Sequence, residues 1–125
     1  MSEPTPSAGT QAWLDLTVDD ATTLRSFYEQ LLGWTPHGVA MSDSDGAYED
    51  WAMLVDGKPV GGICHRRGPN TGVPPMWMPY FLVADVQATV DTARQQGAEV
   101  IDLREKMAIL RDPAGACFGV YQQGG

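Results

Sequence analysis

The 125-residue chain states one pattern twice. An alternating segment, Trp13-Leu14-Asp15-Leu16-Thr17-Val18, runs into Asp19-Asp20 and a helix-like stretch that stops at Gly33. Later, Pro79-Tyr80-Phe81-Leu82-Val83-Ala84 runs into Asp85 and a second such stretch that stops at Gly97. An internal repeat constrains a fold strongly, because each copy must bury its apolar face against the same kind of neighbour. In a chain of this length two copies make one domain, built from two small modules sharing a core. The order read from the repeat is strand, helix, three strands, twice. Residues 11–66 form the first module and 77–125 the second, with the Gly/Pro-rich residues 67–76 as linker.

Within the first copy, Leu24, Phe27, Tyr28, Leu31 and Leu32 form one apolar helical stripe. Asp19 or Asp20 can cap its start, and Gly33 suits the left-handed residue beyond its end. In the second copy Val86, Val90 and Ala93 share a face, Asp85 caps and Gly97 stops the helix. Further strands are expected at 47–55, 59–65, 98–103, 106–111 and 116–122. The turn signals Asp45-Gly46, Asp56-Gly57 and Asp112-Pro113-Ala114-Gly115 separate them. Period two along the first strand sends Leu14, Leu16 and Val18 toward the helix and Trp13, Asp15 and Thr17 to the other face. In the second copy both faces of that strand are apolar, so both are covered. The fold class is α+β: two βαβββ modules whose curled mixed sheets surround a cleft, with the helices outside.

Composition narrows the function classes. A formal net charge of −8 argues against nucleic acid, whose phosphates need basic partners. It serves solubility and is compatible with a cationic small ligand. No apolar run approaches the length of a membrane span, so no membrane partner is expected. Residues 1–10, MSEPTPSAGT, lack the basic start and apolar centre of a signal peptide and read as a disordered tail. A cytoplasmic location follows by default. Cys64 and Cys117 suit reduced thiols better than a disulfide framework.

The stretches LTVDDATTLRSFYEQLLGW, YFLVADVQATVDTARQQGAEV and LRDPAGACFGVY resemble the glyoxalase / bleomycin-resistance / extradiol-dioxygenase superfamily, the vicinal oxygen chelate proteins. The likeness runs from Trp13 to Tyr121. It implies paired βαβββ modules around a cleft and, as in many members, a homodimer. In metal-dependent members it implies ligands at the head of each module's first strand and late in its last strand. Counting from Asp19 and Asp85 places the first-strand positions at Trp13 and Pro79. Counting from the Asp112-Pro113 turn places the others at Gly119 and, in the first module, Gly61. None of these four has a side chain able to hold a divalent cation. The resemblance is therefore to a member lacking the metal ligands, and no metal or other cofactor is expected. The scaffold hosts isomerases, dioxygenases, thiol transferases and antibiotic-binding proteins, so the fold does not set the activity.

Alternation lines the expected cleft with Trp13, Asp15 and Thr17, with Gly61, Ile63 and His65, with Phe81 and Val83, and with Cys117, Gly119 and Tyr121. Met76 and Trp77 stand at its mouth, and Trp51 is a further stacking surface. This is an aromatic pocket with few polar groups, suited to an organic ligand. The candidate ligand contacts are Trp13, Asp15, Trp51, Ile63, Trp77, Phe81, Cys117 and Tyr121. Asp15 is the candidate general base, or the partner of a cationic ligand group, because an apolar setting raises a carboxyl pKa. Against that stands a carboxylate satisfied by an Arg or by backbone. His65 and Tyr121 are its candidate acid–base partners, although His65 also opens the polar run His65-Arg66-Arg67, which reads as a solvated strand end. Cys117 has no basic group near it in sequence and reads as an inert thiol. Trp34 reads as structural, His37 as surface in the turn after the first helix, and Asp43 to Asp50 as a solvated acidic loop.

Two functions compete. One is a metal-free protein that sequesters a hydrophobic or aromatic, also cationic, compound such as an antibiotic. The other is a cofactor-independent isomerase, cyclase or lyase with Asp15 as base. A metal-dependent glyoxalase or dioxygenase ranks below both, because the ligands are missing.

Overall fold

The computed structural model describes residues 7–122. The elements run β1 (Gln11–Val18), α1 (Ala21–Leu32), β2 (Thr35–Asp43), β3 (Gly46–Val55), β4 (Lys58–His65), a short 3-10 turn (Gly68–Asn70), β5 (Trp77–Val83), α2 (Val86–Gln95), β6 (Glu99–Leu103), β7 (Met107–Arg111) and β8 (Cys117–Gln122). This is the α+β order that the repeat demands. Strand β2 is absent from the sequence reading: Pro36 and Gly38 interrupt it, and as an edge strand it tolerates them. The stretch read as an acidic loop is mostly strand, with only Ser44 and Asp45 between β2 and β3. Likewise His37 lies within β2, exposed, rather than in a turn.

By contacts the chain divides into two compact units, one from Leu14 to Trp77 and one comprising the rest. The first carries the strand order β2-β3-β4-β1, with β1 parallel to β4 and the other pairs antiparallel. In the second, β6-β7-β8-β5 repeats the plan, with β5 parallel to β8. Gly9 donates to the Leu82 carbonyl at 2.7 Å, and the Leu82 amide donates to Thr10 at 2.8 Å. The end of the expected tail is thus tied to β5, while residues 1–6 of it lie outside the described residues. Among the described residues no helix is long and apolar enough to cross a membrane.

Both helices start and stop as their sequences dictate. Asp20 and Asp85 accept hydrogen bonds from the amides of Thr23 and Ala88, each at 3.0 Å, and Gly33 closes α1 with a φ of 72°. Helix α2 buries Val86 and Val90 against Ala108, Leu110 and Val120. Helix α1 departs from expectation. It is Ala21 and Tyr28 that face the core of Met53 and Ile63, and Phe27, Leu31 and Leu32 of the apolar stripe are more than half exposed. An aromatic cluster draws Tyr28 inward: its hydroxyl accepts from Trp77 Nε1 at 2.9 Å, and its ring stacks on Trp34 at 5.9 Å.

The parallel pairs share one register. In the first module Asp15 pairs with Gly62, Leu16 with Ile63, Thr17 with Cys64 and Val18 with His65. In the second Tyr80 pairs with Gly119, Phe81 with Val120, Leu82 with Tyr121 and Val83 with Gln122. Each first strand reaches its helix cap at the same distance, so Asp15 corresponds to Tyr80, Gly62 to Gly119 and Cys64 to Tyr121. Strands β3 and β4 join through a two-residue turn, Asp56 and Gly57, both at positive φ (52° and 77°), the type I′ geometry that suits hairpin twist. Beyond the turn Leu54 pairs with Pro59 but Met53 with Gly61, leaving Val60 as an unpaired bulge.

Candidate functional site

In a sheet, side chains paired across strands point to the same face. The registers therefore gather Asp15, Thr17, Cys64 and Asp50 on the face of the first module turned away from α1. Three of the four are acids or a thiol. Cys64 Sγ donates to Asp15 Oδ2 at 3.5 Å. Burial pushes the Cys64 thiol far above its ordinary 9.0, and the Asp15 and Asp50 carboxylates push it the same way. The thiol is thus a proton donor here and not a nucleophile, since only the thiolate attacks. Asp50, 6% exposed, accepts the His65 amide at 2.8 Å, and its Oδ1 lies 3.4 Å from His65 Nδ1. The same Nδ1 lies 2.9 Å from the Glu49 carbonyl, and with two acceptors facing it this nitrogen is assigned the proton. Thr17 is 3% exposed, follows Asp15 by two residues on the same face of β1, and pairs across the strands with Cys64.

Of the residues chosen from sequence, Asp15 stands in this cluster, and β1 alternation keeps Trp13 on its side. Ile63 does not join them. It pairs with Leu16 and is wholly buried in the α1 core. Trp51 lies in the same core with the Arg25 guanidinium 4.0 Å over its ring, and Trp77 is anchored there by Tyr28. Gly61 and His65 share this parity, so the strand that sequence placed toward the cleft is turned over. Phe81 and Val83 are likewise on the α2 side, Phe81 with its ring 6.2 Å from Phe118 and Val83 packed on the α2 core. Cys117 and Tyr121 are on the other face of the second module, and Tyr121 is 44% exposed. Sequence reasoning missed Asp50, which sat inside a presumed loop, and Cys64. The available signal was the Asp56-Gly57 hairpin, which sets β3 against β4.

The corresponding face of the second module carries rings and aliphatics. Tyr80, Leu82, Gly119, Tyr121 and Ile109 share the face turned away from α2. The ring of Tyr80 occupies the space where a Cβ on Gly119 would lie, so only glycine fits there.

These placements permit a test of the metal set implied by the resemblance. The helix caps make Met78, not Pro79, the counterpart of Trp13, and the registers make Gly62, not Gly61, the counterpart of Gly119. The corrected four, Trp13, Met78, Gly62 and Gly119, offer no carboxylate, imidazole or amide oxygen. At Gly119 the space is taken by the Tyr80 ring. Among the described residues no three His, Cys, Asp or Glu side chains are grouped so as to hold a metal ion. The residues present do not fit the group.

Two surface grooves lie elsewhere. One, about 430 Å³, runs along α2 between Ala88, Thr92, Leu110 and Phe118. The other, about 530 Å³, lies at the β2–β3 tip beside Arg66 and Arg67, where Arg67 Nε and Nη2 each donate to Asp43 at 2.9 Å. Neither includes a member of the acid–thiol cluster.

Comparison with known proteins agrees with the geometry. A profile for the Glyoxalase-like domain matches residues 11–121. The chain is 31% identical over 121 residues to CFP32 of Mycobacterium tuberculosis, provisionally described as a glyoxylase, covering 91% of this chain and 46% of that protein. It is 32% identical over 134 residues to the anthracycline biosynthesis protein DnrV of Streptomyces peucetius, covering 93% and 48% respectively. The chain thus spans about half the length of these relatives. In fold it is similar to methylmalonyl-CoA epimerase from Mycobacterium tuberculosis, with a TM-score of 0.58 at 14% identity, over 98% of this chain and 94% of that one. The chain belongs to the Glyoxalase-like family.

Proposed function

We propose that this protein is a metal-free small-molecule-binding member of its family that sequesters a planar aromatic compound, such as an antibiotic or its precursor. The observation that carries the reading is the Tyr80 ring laid over Gly119. At a position where metal-dependent members carry a ligand, this chain has a glycine under an aromatic surface. Stacking on such a surface contributes about 0.5–1.5 kcal/mol beyond the area buried. Two relatives named for anthracycline biosynthesis, DnrV and DauV, fit a polycyclic aromatic ligand class. The protein works in the cytoplasm as a homodimer, and the exposed Phe27, Leu31 and Leu32 of α1 offer apolar surface to a second copy. Titration of tryptophan fluorescence with a panel of anthraquinones and anthracyclines tests the reading. Saturable quenching with the compound recovered unchanged is expected. No binding across the panel overturns it.

A second reading is favoured by the Asp15–Cys64 hydrogen bond. A carboxylate held against a protonated thiol beside a second buried acid is an arrangement for proton transfer, in an isomerase, cyclase or lyase without cofactor. There Asp15 is the base, with His65, which is bonded to Asp50, as its candidate acid–base partner. If an identified substrate is turned over at an unchanged rate by Asp15→Asn, this mechanism fails.

A further inference from the structure

We propose that the solvent side of α1 is the contact surface between two copies of this chain, packed α1 against α1 about a two-fold axis. The inference rests on the homodimer reading above and names the surface through which the pair forms.

The two helices hold the same place in the repeat, yet their solvent sides differ. Counted from the caps Asp20 and Asp85, Phe27 corresponds to Thr92, Gln30 to Gln95 and Leu31 to Gln96. Helix α2 shows solvent Gln87, Asp91, Arg94 and Gln95, the polar side expected of a helix laid on a sheet. Helix α1 shows Thr23, Phe27, Gln30 and Leu31 instead, with Phe27 54% and Leu31 64% exposed. Thr23, Phe27 and Leu31 recur every fourth residue and so form one outward stripe. The charged residues between Ala21 and Leu32, Arg25 and Glu29, stand off this stripe. They pair with each other at 3.5 Å, where Arg25 covers the Trp51 ring. The outer side of α1 is therefore apolar and uncharged, a surface that a solvated helix rarely keeps without a partner.

Charge selects the partner. The chain carries a formal net charge of −8, so two copies repel over most of their surface. A two-fold contact sets a patch against the same patch, and any charge in it would meet its like. An uncharged side is the surface through which an acidic chain can meet itself. A basic partner would be matched by carboxylates, which this side of α1 lacks. The relatives CFP32 and DnrV are about twice as long as the stretch matched here and have room for two such units in one chain. A pair of this chain would reach the same number. Helix α1 covers the side of the first module opposite Asp15 and Cys64, so this contact leaves their face uncovered.

Sedimentation velocity of the full chain tests the proposal. Wild type is expected at twice the mass of one chain. Phe27→Asp and Leu31→Asp should each weaken the pair about a hundredfold, because every contact carries the substitution twice and brings two carboxylates into an apolar setting. Gln30→Glu, at a position already polar and exposed, should weaken it about tenfold without endangering the fold. Thr92→Asp, the matching substitution on α2, should leave the pair intact. Circular dichroism checks that each variant is folded. A wild-type dimer that none of the α1 variants loosens overturns the α1 contact and leaves the homodimer reading standing. Loosening by Thr92→Asp as strong as that by Phe27→Asp overturns the contact too, since added charge alone would account for both. A wild type that stays monomeric at about 100 μM removes both the contact and the homodimer reading, and leaves the small-molecule reading in place.

Discussion

The ring of Tyr80 lies on Gly119, in the volume a side chain at that position would need. The contact reaches the base of the ring as well as its edge, so the whole side chain must move if Gly119 acquires a methyl group. Gly119→Ala is expected to destabilise the protein by about 1–3 kcal/mol through overpacking. Urea denaturation measures it. A second substitution, Tyr80→Ala, should remove most of the penalty specific to Gly119→Ala, because the clash has gone. Additive losses in the double variant would show that the two residues do not meet.

Trp77 and Tyr28 are joined by a single hydrogen bond of 2.9 Å inside the α1 cluster. Tyr28→Phe keeps the ring contacts with Phe27, Trp34 and Trp77 but strips the indole nitrogen of its acceptor. The expected loss is about 1–2 kcal/mol, the cost of leaving a largely buried donor unmade. Denaturation curves and a shift in the tryptophan emission maximum report it together. An unchanged midpoint would mean that water replaces the hydroxyl.

Cys64 gives the protein an alkaline weakness. In the unfolded chain the thiol releases its proton near the ordinary 9.0, whereas in the fold burial and two carboxylates hold the proton to higher pH. Above 9.0 the unfolded state binds fewer protons than the folded one, so stability falls as pH rises. Below that value both states are protonated and the group makes no pH-dependent contribution. Stability measured from pH 7 upward should decline less steeply in Cys64→Ala than in wild type. Cys64 should also react with iodoacetamide far more slowly than an exposed thiol, and Asp15→Asn should speed it. Rapid alkylation of wild type at neutral pH would contradict the placement.

Asp85 holds the first turn of α2 through the Ala88 amide, and its main-chain carbonyl accepts from Thr89. Asp85→Ala should cost about 0.5–2 kcal/mol, and Asp85→Asn much less, since the amide oxygen still caps. Thermal or urea denaturation of the two variants separates capping from mere loss of charge. Equal losses would assign the effect to charge.

Local signals in the sequence were legible, and relations between strands were not. The helix caps Asp20 and Asp85, the stop at Gly33, the Val86–Val90 face and the hairpin turns all follow from residues within a few positions of one another. The repeat followed from comparing two such neighbourhoods. Alternation correctly set Leu16 and Val18 against Asp15 and Thr17 within β1. It could not say which residues of β4 share a face with them, because that depends on register. Ile63, which alternation puts on the cleft side, instead packs under α1, as do the stacking candidates Trp51 and Trp77. Phe81 falls on the opposite side from that expected because β5 is apolar on both faces, so its pattern carries no direction. Asp50 is not legible locally, because an acidic segment resembles a loop until its strand partner is known.

The unpaired Val60 works as a phase shifter. Counting from the hairpin turn, a regular ladder would bring Asp50 opposite Ile63, a carboxylate against a hydrocarbon. The bulge advances β4 by one residue and delivers Cys64 instead. The turn and the acid–thiol pair are thus geared separately, with the slack between them taken up by one valine. The chemistry of this face is decided by a residue that takes no part in it.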